Sequence, residues 1–190
     1  ISITARLVAD LLKTAGATHV MSMVFHSPQV HGFFTVPTDP LSSYIVFKQY
    51  LKTRGMNNTI MVSPDMGQAK SAARFARVLD IPIAAGNKER VSDTKVRINA
   101  LVGNQVRGHR CALIYDDEIA TGGSIHELSR VLIDEGIEEM LVMCTHGVFT
   151  RGGLERLGDV PQISEILTTD TVYIPPGKRH PKLKILSGAP

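Results

Sequence analysis

The sequence predicts an α/β fold: a parallel sheet flanked by helices, with part of a second, similar domain at its front. Short apolar runs rich in Val, Ile and Leu alternate with amphipathic stretches of helical period, the pattern of β-α-β units. The length of 190 residues suffices for one sizeable domain plus a piece of another. With 43% hydrophobic and 21% charged residues the chain has the composition of a globular protein, which argues against disorder.

In chain order, Ile3 to Ala15 places Ala5, Leu7, Val8, Leu11 and Leu12 at helical spacing, and Gly16 stops the run. His19 to Phe25 is apolar enough for a strand. Ser27 to Pro40, with Pro28, Gly32, Pro37 and Pro40, has no regular period and reads as a connection, with a domain boundary near Thr38 to Leu41. A helix is predicted from Ser43 to Lys52, a strand at Thr59 to Ser63, and a helix over Ala69 to Leu79 with Ala72, Ala76 and Leu79 inward. Ile81 to Ala85 is a strand followed by a polar loop, Gly86 to Lys95. Arg110 to Tyr115 is a strand, Ile125 to Glu135 a helix, and Met140 to Cys144, Glu165 to Thr169 and Lys184 to Leu186 are strands. Ligands of such sheets bind beyond the carboxyl ends of the strands, which directs attention to the loops after Ser63, Ala85, Tyr115 and Cys144. The first residue is Ile1 rather than methionine, so the chain is expected to be a piece of something longer. Residues 1–40 would be the tail of a preceding domain plus a linker, and 41–190 the following domain.

Several classes are disfavoured. No apolar run reaches the ~18 residues needed to cross a bilayer, so no membrane partner is expected. Aromatics are 5% with no Trp, and the formal charge of +3 is spread among interleaved acids, so nucleic acid is not expected either. Cys111 and Cys144 sit in apolar strand-like runs and read as two buried, reduced thiols of a cytoplasmic protein. No Gly-x-x-x-x-Gly-Lys-[Ser/Thr] run is present, which excludes a P-loop kinase.

The strongest chemical signal is Leu113-Ile114-Tyr115-Asp116-Asp117-Glu118-Ile119-Ala120-Thr121-Gly122-Gly123-Ser124. A buried strand ends in two carboxylates, passes a short loop and enters a helix. Gly122 and Gly123 let the backbone approach an anion, and the N–H groups of the first helical turn form a donor set suited to phosphate. Thr121 and Ser124 add hydroxyls. Asp116 and Asp117 would repel phosphate but accept from sugar hydroxyls, directly or through Mg²⁺, so the site suits a sugar phosphate. The plainer reading is a helix capped by Thr121 with a solvated acid pair. A second loop, Ser63-Pro64-Asp65-Met66-Gly67, ends a strand on the same face. It reads as a diphosphate loop whose Asp65 holds Mg²⁺, or as an ordinary turn.

These segments resemble the ribose-phosphate pyrophosphokinase family, of the type I phosphoribosyltransferase fold. The resemblance covers the whole chain. Ile1 to Ala17 is similar to the helix after that family's flexible ATP loop, and Phe25-His26-Ser27-Pro28-Gln29-Val30-His31-Gly32-Phe33-Phe34 with Val36-Pro37 to its linker. Ser63 to Lys70 resembles its pyrophosphate loop, and Lys88-Glu89-Arg90 its catalytic segment. Cys144-Thr145-His146-Gly147-Val148-Phe149 and Leu186-Ser187-Gly188-Ala189-Pro190 follow in order. The resemblance implies transfer of pyrophosphate from Mg·ATP to ribose 5-phosphate, with phosphoribosyl pyrophosphate and AMP as products. Lys88 and Arg90 would be catalytic; His26, Asp65, Met66 and Gly67 would contact ATP or pyrophosphate; His26, Asp65 and Asp39 would face the metal. It also implies homo-oligomers. His146 is expected to be structural.

The chain departs from the family pattern at Val24 and Thr35, where the family has acids, at Ala120, where it has Asp, and at Gln68, where it has Gly. Val24 and Thr35 motivate a second reading, a catalytically impaired subunit that binds sugar phosphate and associates with an active enzyme. Ala120 motivates a third, a phosphoribosyltransferase acting on a base.

Overall fold

The computed structural model describes residues 3–90 and 96–188; of Lys88, Glu89, Arg90, Val96, Arg97 and Asn99 it describes the backbone alone. The expectations for Ile1, Ser2, Ser92, Asp93, Lys95, Ala189 and Pro190 lie outside the described residues. The chain forms two compact units, Ile1–Ser43 and Tyr44–Pro190.

The first unit holds helix α1 (Thr4–Thr14), strand β1 (Val20–Met23), a 3-10 turn at Pro28–Phe33 and strand β2 (Thr38–Leu41). β1 and β2 pair in parallel, Val20 beside Thr38 and Met23 beside Leu41. The segment expected to be an irregular connection therefore contains a strand. Its sequence hid this because Pro40 lacks an N–H, a loss that a strand in a two-stranded ribbon tolerates on its outer edge. The apolar residues of α1 also behave unexpectedly. Ala9 is buried, but Leu7, Val8, Leu11 and Leu12 remain exposed within this unit.

The second unit begins with helix α2 (Tyr44–Leu51) and continues β3 (Thr59–Ser63), α3 (Ala69–Leu79), β4 (Ile83–Arg90), β5 (Val96–Gly103), β6 (Cys111–Ile119), α4 (Gly123–Asp134), β7 (Glu139–Gly147), α5 (Gly153–Gly158), β8 (Ile163–Thr169) and β9 (Leu183–Leu186). Its seven-stranded sheet has the order β5-β4-β3-β6-β7-β8-β9. All pairings are parallel except β4–β5. From β3 the chain steps outward to β4 and β5, then returns to the other side of β3 as β6. This reversal opens a crevice between the loops that leave β3 and β6, the position where open α/β sheets take their ligands.

Alternation along the central strands sorts side chains onto two faces. Ile60, Val62, Ile114, Val142 and Ile166 pack with Leu128 and Leu132 of α4 and Leu157 of α5. Met61, Leu113, Tyr115 and Leu141 pack on the other face with Phe47 of α2 and Phe75 of α3. There Tyr44 stacks on Phe75 at 5.0 Å between ring centroids, and Tyr115 meets Phe75 edge-on at 5.5 Å. Such burial of aromatic rings supplies the largest single apolar contributions to a core. Toward the amino ends of the strands, Glu165 accepts from Tyr50 Oη at 2.7 Å, Arg54 at 2.5 Å and Lys184 Nζ at 2.9 Å. Burial pushes that carboxyl up, but Lys184, Tyr50 and Arg54 together hold it below the usual range.

Four strands run further than their apolar cores suggest. The expected polar loop after Ala85 is instead the continuation of β4 to Arg90, paired antiparallel with β5, which the sequence reading missed. β4 is polar here, and β5 alternates apolar and polar residues up to the short run Ala100-Leu101-Val102, so neither shows a long apolar run. β6 continues past Tyr115 through Asp116, Asp117 and Glu118 to Ile119, and β7 past Cys144 to Gly147. Thus only Ser63, of the four positions marked, ends its strand. β8 starts two residues earlier than expected, at Ile163. Helix α5 and the 3-10 turn at Pro176–Lys178 were too short to show a period. Of the two thiols, Cys144 is buried and Cys111 only half-buried; both are free. His146, expected to be structural, engages Thr171 Oγ1 through Nδ1 at 2.9 Å.

Val24, which follows β1, has φ of 58° while its N–H donates to Leu41 at 3.1 Å. A β-branched residue is strained in this region, where Asn and Asp are better tolerated. Val24→Asn should raise the free energy of unfolding by about 1 kcal/mol, read from urea unfolding. A lowered midpoint would mean that the partial burial of the valine methyls outweighs the backbone strain.

Candidate ligand site at the carboxyl end of the sheet

Two loops flank the crevice. The first leaves β3. Ser63 Oγ donates to the Asp65 carbonyl at 2.7 Å, and Asp65 Oδ1 accepts the Gln68 N–H at 3.1 Å. Asp65 thereby folds its own loop into the start of α3. Gly67 is exposed at the tip, and a Cβ there would stand 3.1 Å from Asp65 Oδ1. Met66 is likewise exposed, while Gln68 is buried. This loop rests on β4 through Gly86: a Cβ at that position would lie 2.7 Å from the Pro64 carbonyl oxygen. Real side chains do not approach so closely, so glycine is required there.

The second loop leaves β6. Asp116 Oδ1 accepts the Asp117 N–H, and Asp117 Oδ1 the Glu118 N–H, both at 2.9 Å. Each carboxylate is thus tied down by the residue after it. Asp117 is 5% exposed. Burial pushes the Asp116 carboxyl well above the usual carboxylate range, reinforced by Asp117 and, less strongly, by Asp65. The loops of β3 and β6 therefore share one electrostatic environment. Ala120 and Thr121 form a bend, Gly122 adopts φ of 69°, and α4 starts at Gly123 with Ser124 in its first turn. No side chain caps this helix, so the plainer reading, a Thr121 cap, is not what forms. No acid lies in the first turn, where an anion would be received by backbone N–H groups.

A third segment, Val148 to Arg156, of which the family resemblance marks only Val148 and Phe149, supports the second loop. The Val148 and Phe149 N–H groups donate to the Ile119 carbonyl at 3.1 and 3.0 Å. A Cβ on Gly153 would lie 2.5 Å from the Ala120 oxygen, and one on Gly122 would lie 2.9 Å from the Gly153 oxygen. Arg156 donates to the Thr121 carbonyl. The trace that the Gly153 and Arg156 contacts leave in the sequence is Gly152-Gly153 after a strand, which resembles any other turn.

The remaining predicted residues are dispersed. Lys88 and Arg90 lie on β4 opposite Ile98 and Val96, and their side chains are outside the described residues. His26 and Asp39 belong to the first unit, where His26 is exposed in a bend and Asp39 pairs with His19 Nε2 at 2.8 Å. Thr35 and Val24 are in that unit as well. Among the described residues no three His, Cys, Asp or Glu side chains form a group able to hold a metal ion. Burial pushes the Cys144 thiol up to about 12, which leaves it protonated and unreactive. No helix of the described residues is long and apolar enough to cross a membrane.

Comparison with known proteins gives a consistent picture. No protein-family model matches the chain. It is 45% identical over 190 residues to a Streptomyces coelicolor protein provisionally named a ribose-phosphate pyrophosphokinase, covering 100% of this chain and 59% of that protein. It is 42% identical over 195 residues to the ribose-phosphate pyrophosphokinase of Deinococcus radiodurans, covering 100% of this chain and 60% of the relative. The crystal structure of phosphoribosylpyrophosphate synthetase from Mycobacterium smegmatis matches with a TM-score of 0.88 at 34% identity, over 98% of this chain and 60% of that one. The chain thus spans about three-fifths of the length of the relatives it matches.

The raised Asp116 carboxyl has a consequence for stability. Folded Asp116 keeps its proton at pH values where an unfolded Asp, titrating near 4, has lost it. The folded state then binds more protons, so stability falls as pH rises from about 4 through the folded value. Asp116→Asn removes this penalty and should be more stable than the parent at pH 7 in chelator, the difference closing toward pH 3. Unfolding midpoints across that range check it; a less stable variant at pH 7 would show that the carboxylate is ionised and well satisfied.

Proposed function

We propose that this chain, homologous along its whole length to ribose-phosphate pyrophosphokinases, carries the ribose-phosphate half of a ribose-phosphate diphosphokinase site. The observation that carries the reading is the arrangement at the switch point: an acid pair on β6, then the Gly122–Gly123 entry to α4, beside the Asp65 loop of β3. In it, ribose 5-phosphate sets its phosphate on Thr121, Gly122, Gly123 and Ser124 and its ring hydroxyls on Asp116 and Asp117. The diphosphate end of ATP meets Asp65, Met66 and Gly67; in the first unit, His26 is proposed as a contact for a triphosphate.

Mg²⁺ suits the oxygen donors here, since Asp116 is already burdened by two neighbouring carboxylates that a hard cation would relieve. Asp65 would hold it in this unit, and His26 and Asp39 are proposed metal contacts of the first unit; when bound it would neutralise phosphate charge and orient the phosphoryl groups. The chain's own residues align the anomeric hydroxyl for attack on the β-phosphorus and exclude water. Lys88 and Arg90 on β4 then stabilise the charge that develops on the transferred group, with no covalent intermediate on the protein. Ala120 has no proton to exchange, and the reaction needs no base there. The products are phosphoribosyl pyrophosphate and AMP. The protein is further proposed to act as a homo-oligomer in the cytoplasm, a compartment consistent with its two free thiols.

Release of AMP from ATP by the full-length protein, dependent on ribose 5-phosphate, tests the reaction. Lys88→Ala should lower kcat by a factor on the order of 100 or more. Unchanged turnover would remove the role given to Lys88, and Mg·ATP binding without AMP release would favour the non-catalytic subunit.

A further inference from the structure

We propose that Arg156 is a positioning residue for the sugar-phosphate loop: by holding the Thr121 carbonyl, it aims the Gly122 N–H at the phosphate. This rests on the reading of that loop given above.

The support is geometric. Gly152 at φ 71° turns the chain into α5, and the Arg156 N–H donates to the Gly152 carbonyl at 3.0 Å, which fixes Arg156 on the first turns of that helix. The backbones of Gly153 and Ala120–Thr121 touch with no room for a side chain between them. From that contact the Arg156 guanidinium reaches the Thr121 oxygen, 35 residues away in sequence.

The peptide that follows is planar and trans, as every described peptide bond is. In such a unit the C=O and the next N–H point in opposite directions. With the carbonyl held toward α5, the Gly122 N–H must point away from it. Gly122 is buried, and no group among the described residues accepts its N–H. A buried residue with an unsatisfied backbone donor, adjoining the first turn of a helix without acids, is matched to an external acceptor. The charge-assisted bond from Arg156 also polarises the Thr121–Gly122 peptide and so strengthens that donor. Glycine at 122 leaves the peptide torsionally soft; the guanidinium replaces the stiffness that a side chain would otherwise give.

The test compares the parent with Arg156→Ala and Arg156→Lys, reading ¹⁵N relaxation of the Gly122 and Gly123 amides without ligand and the Kd for ribose 5-phosphate by calorimetry. In Arg156→Ala the order parameters should fall from about 0.85 toward about 0.6, and Kd should rise about tenfold. Arg156→Lys, which can still donate to the same carbonyl, should recover most of both. Unchanged order parameters in Arg156→Ala overturn the proposal; paired with a raised Kd, they would show that Arg156 touches the phosphate directly. If the parent does not bind ribose 5-phosphate, the phosphate reading of the loop falls, and with it the target of the Gly122 N–H. The relaxation data still decide, separately, whether Arg156 sets that peptide.

Discussion

Everything at the carboxyl end of the sheet depends on one contact between two backbones. Gly153 lies against Ala120 and Thr121 so tightly that neither it nor Gly122 can carry a Cβ. The contact determines where the chain turns after β6, and hence where α4 begins and which way its first N–H groups face. It also ties the loop of β6 to the segment leaving β7, neighbours that run in register from Cys111–Glu139 to Ile119–Gly147. A comparable close approach, Gly86 against the Pro64 carbonyl, ties the loop of β3 to β4. The two flanks of the crevice are thus each braced by the adjoining strand, and both braces consist of missing side chains.

Electrostatics divides the molecule along the strand direction. At one end Glu165 is surrounded by Arg54, Lys184 and Tyr50 and lies below its ordinary range. At the other, burial first and neighbouring acids second lift Asp116 well above it. A chain optimised only for folding gains nothing from the second arrangement, since a buried carboxyl beside other acids lowers stability. Local disfavour of this kind marks places where a partner molecule completes the environment.

The architecture was legible where burial on both faces left apolar runs, as in Thr59–Ser63 and Cys111–Tyr115. It was illegible where strands project beyond the core. Lys88 and Arg90 look like loop residues because this end of β4 is polar in sequence, and Asp116 to Glu118 look like a strand end because three acids interrupt the apolar run. The acid pair and the Gly122–Gly123 turn were readable because their chemistry is local in sequence. Arg156 was not, because its partner Thr121 is distant in sequence and an exposed arginine carries no signature. Phe75 was passed over for its smaller neighbours Ala72 and Ala76, although it fills more of the core than either.

The division between the two ends has a consequence for how the protein can be altered. The amino end of the sheet, with Glu165 and its three partners, is satisfied within the fold and remote from the crevice loops. Substitutions that enlarge or rigidify that end can raise thermal tolerance without shifting the atoms of the mouth. The mouth has no comparable slack, because Gly86, Gly122 and Gly153 admit only glycine. Robustness and recognition are therefore adjustable independently, from opposite rims of the same sheet.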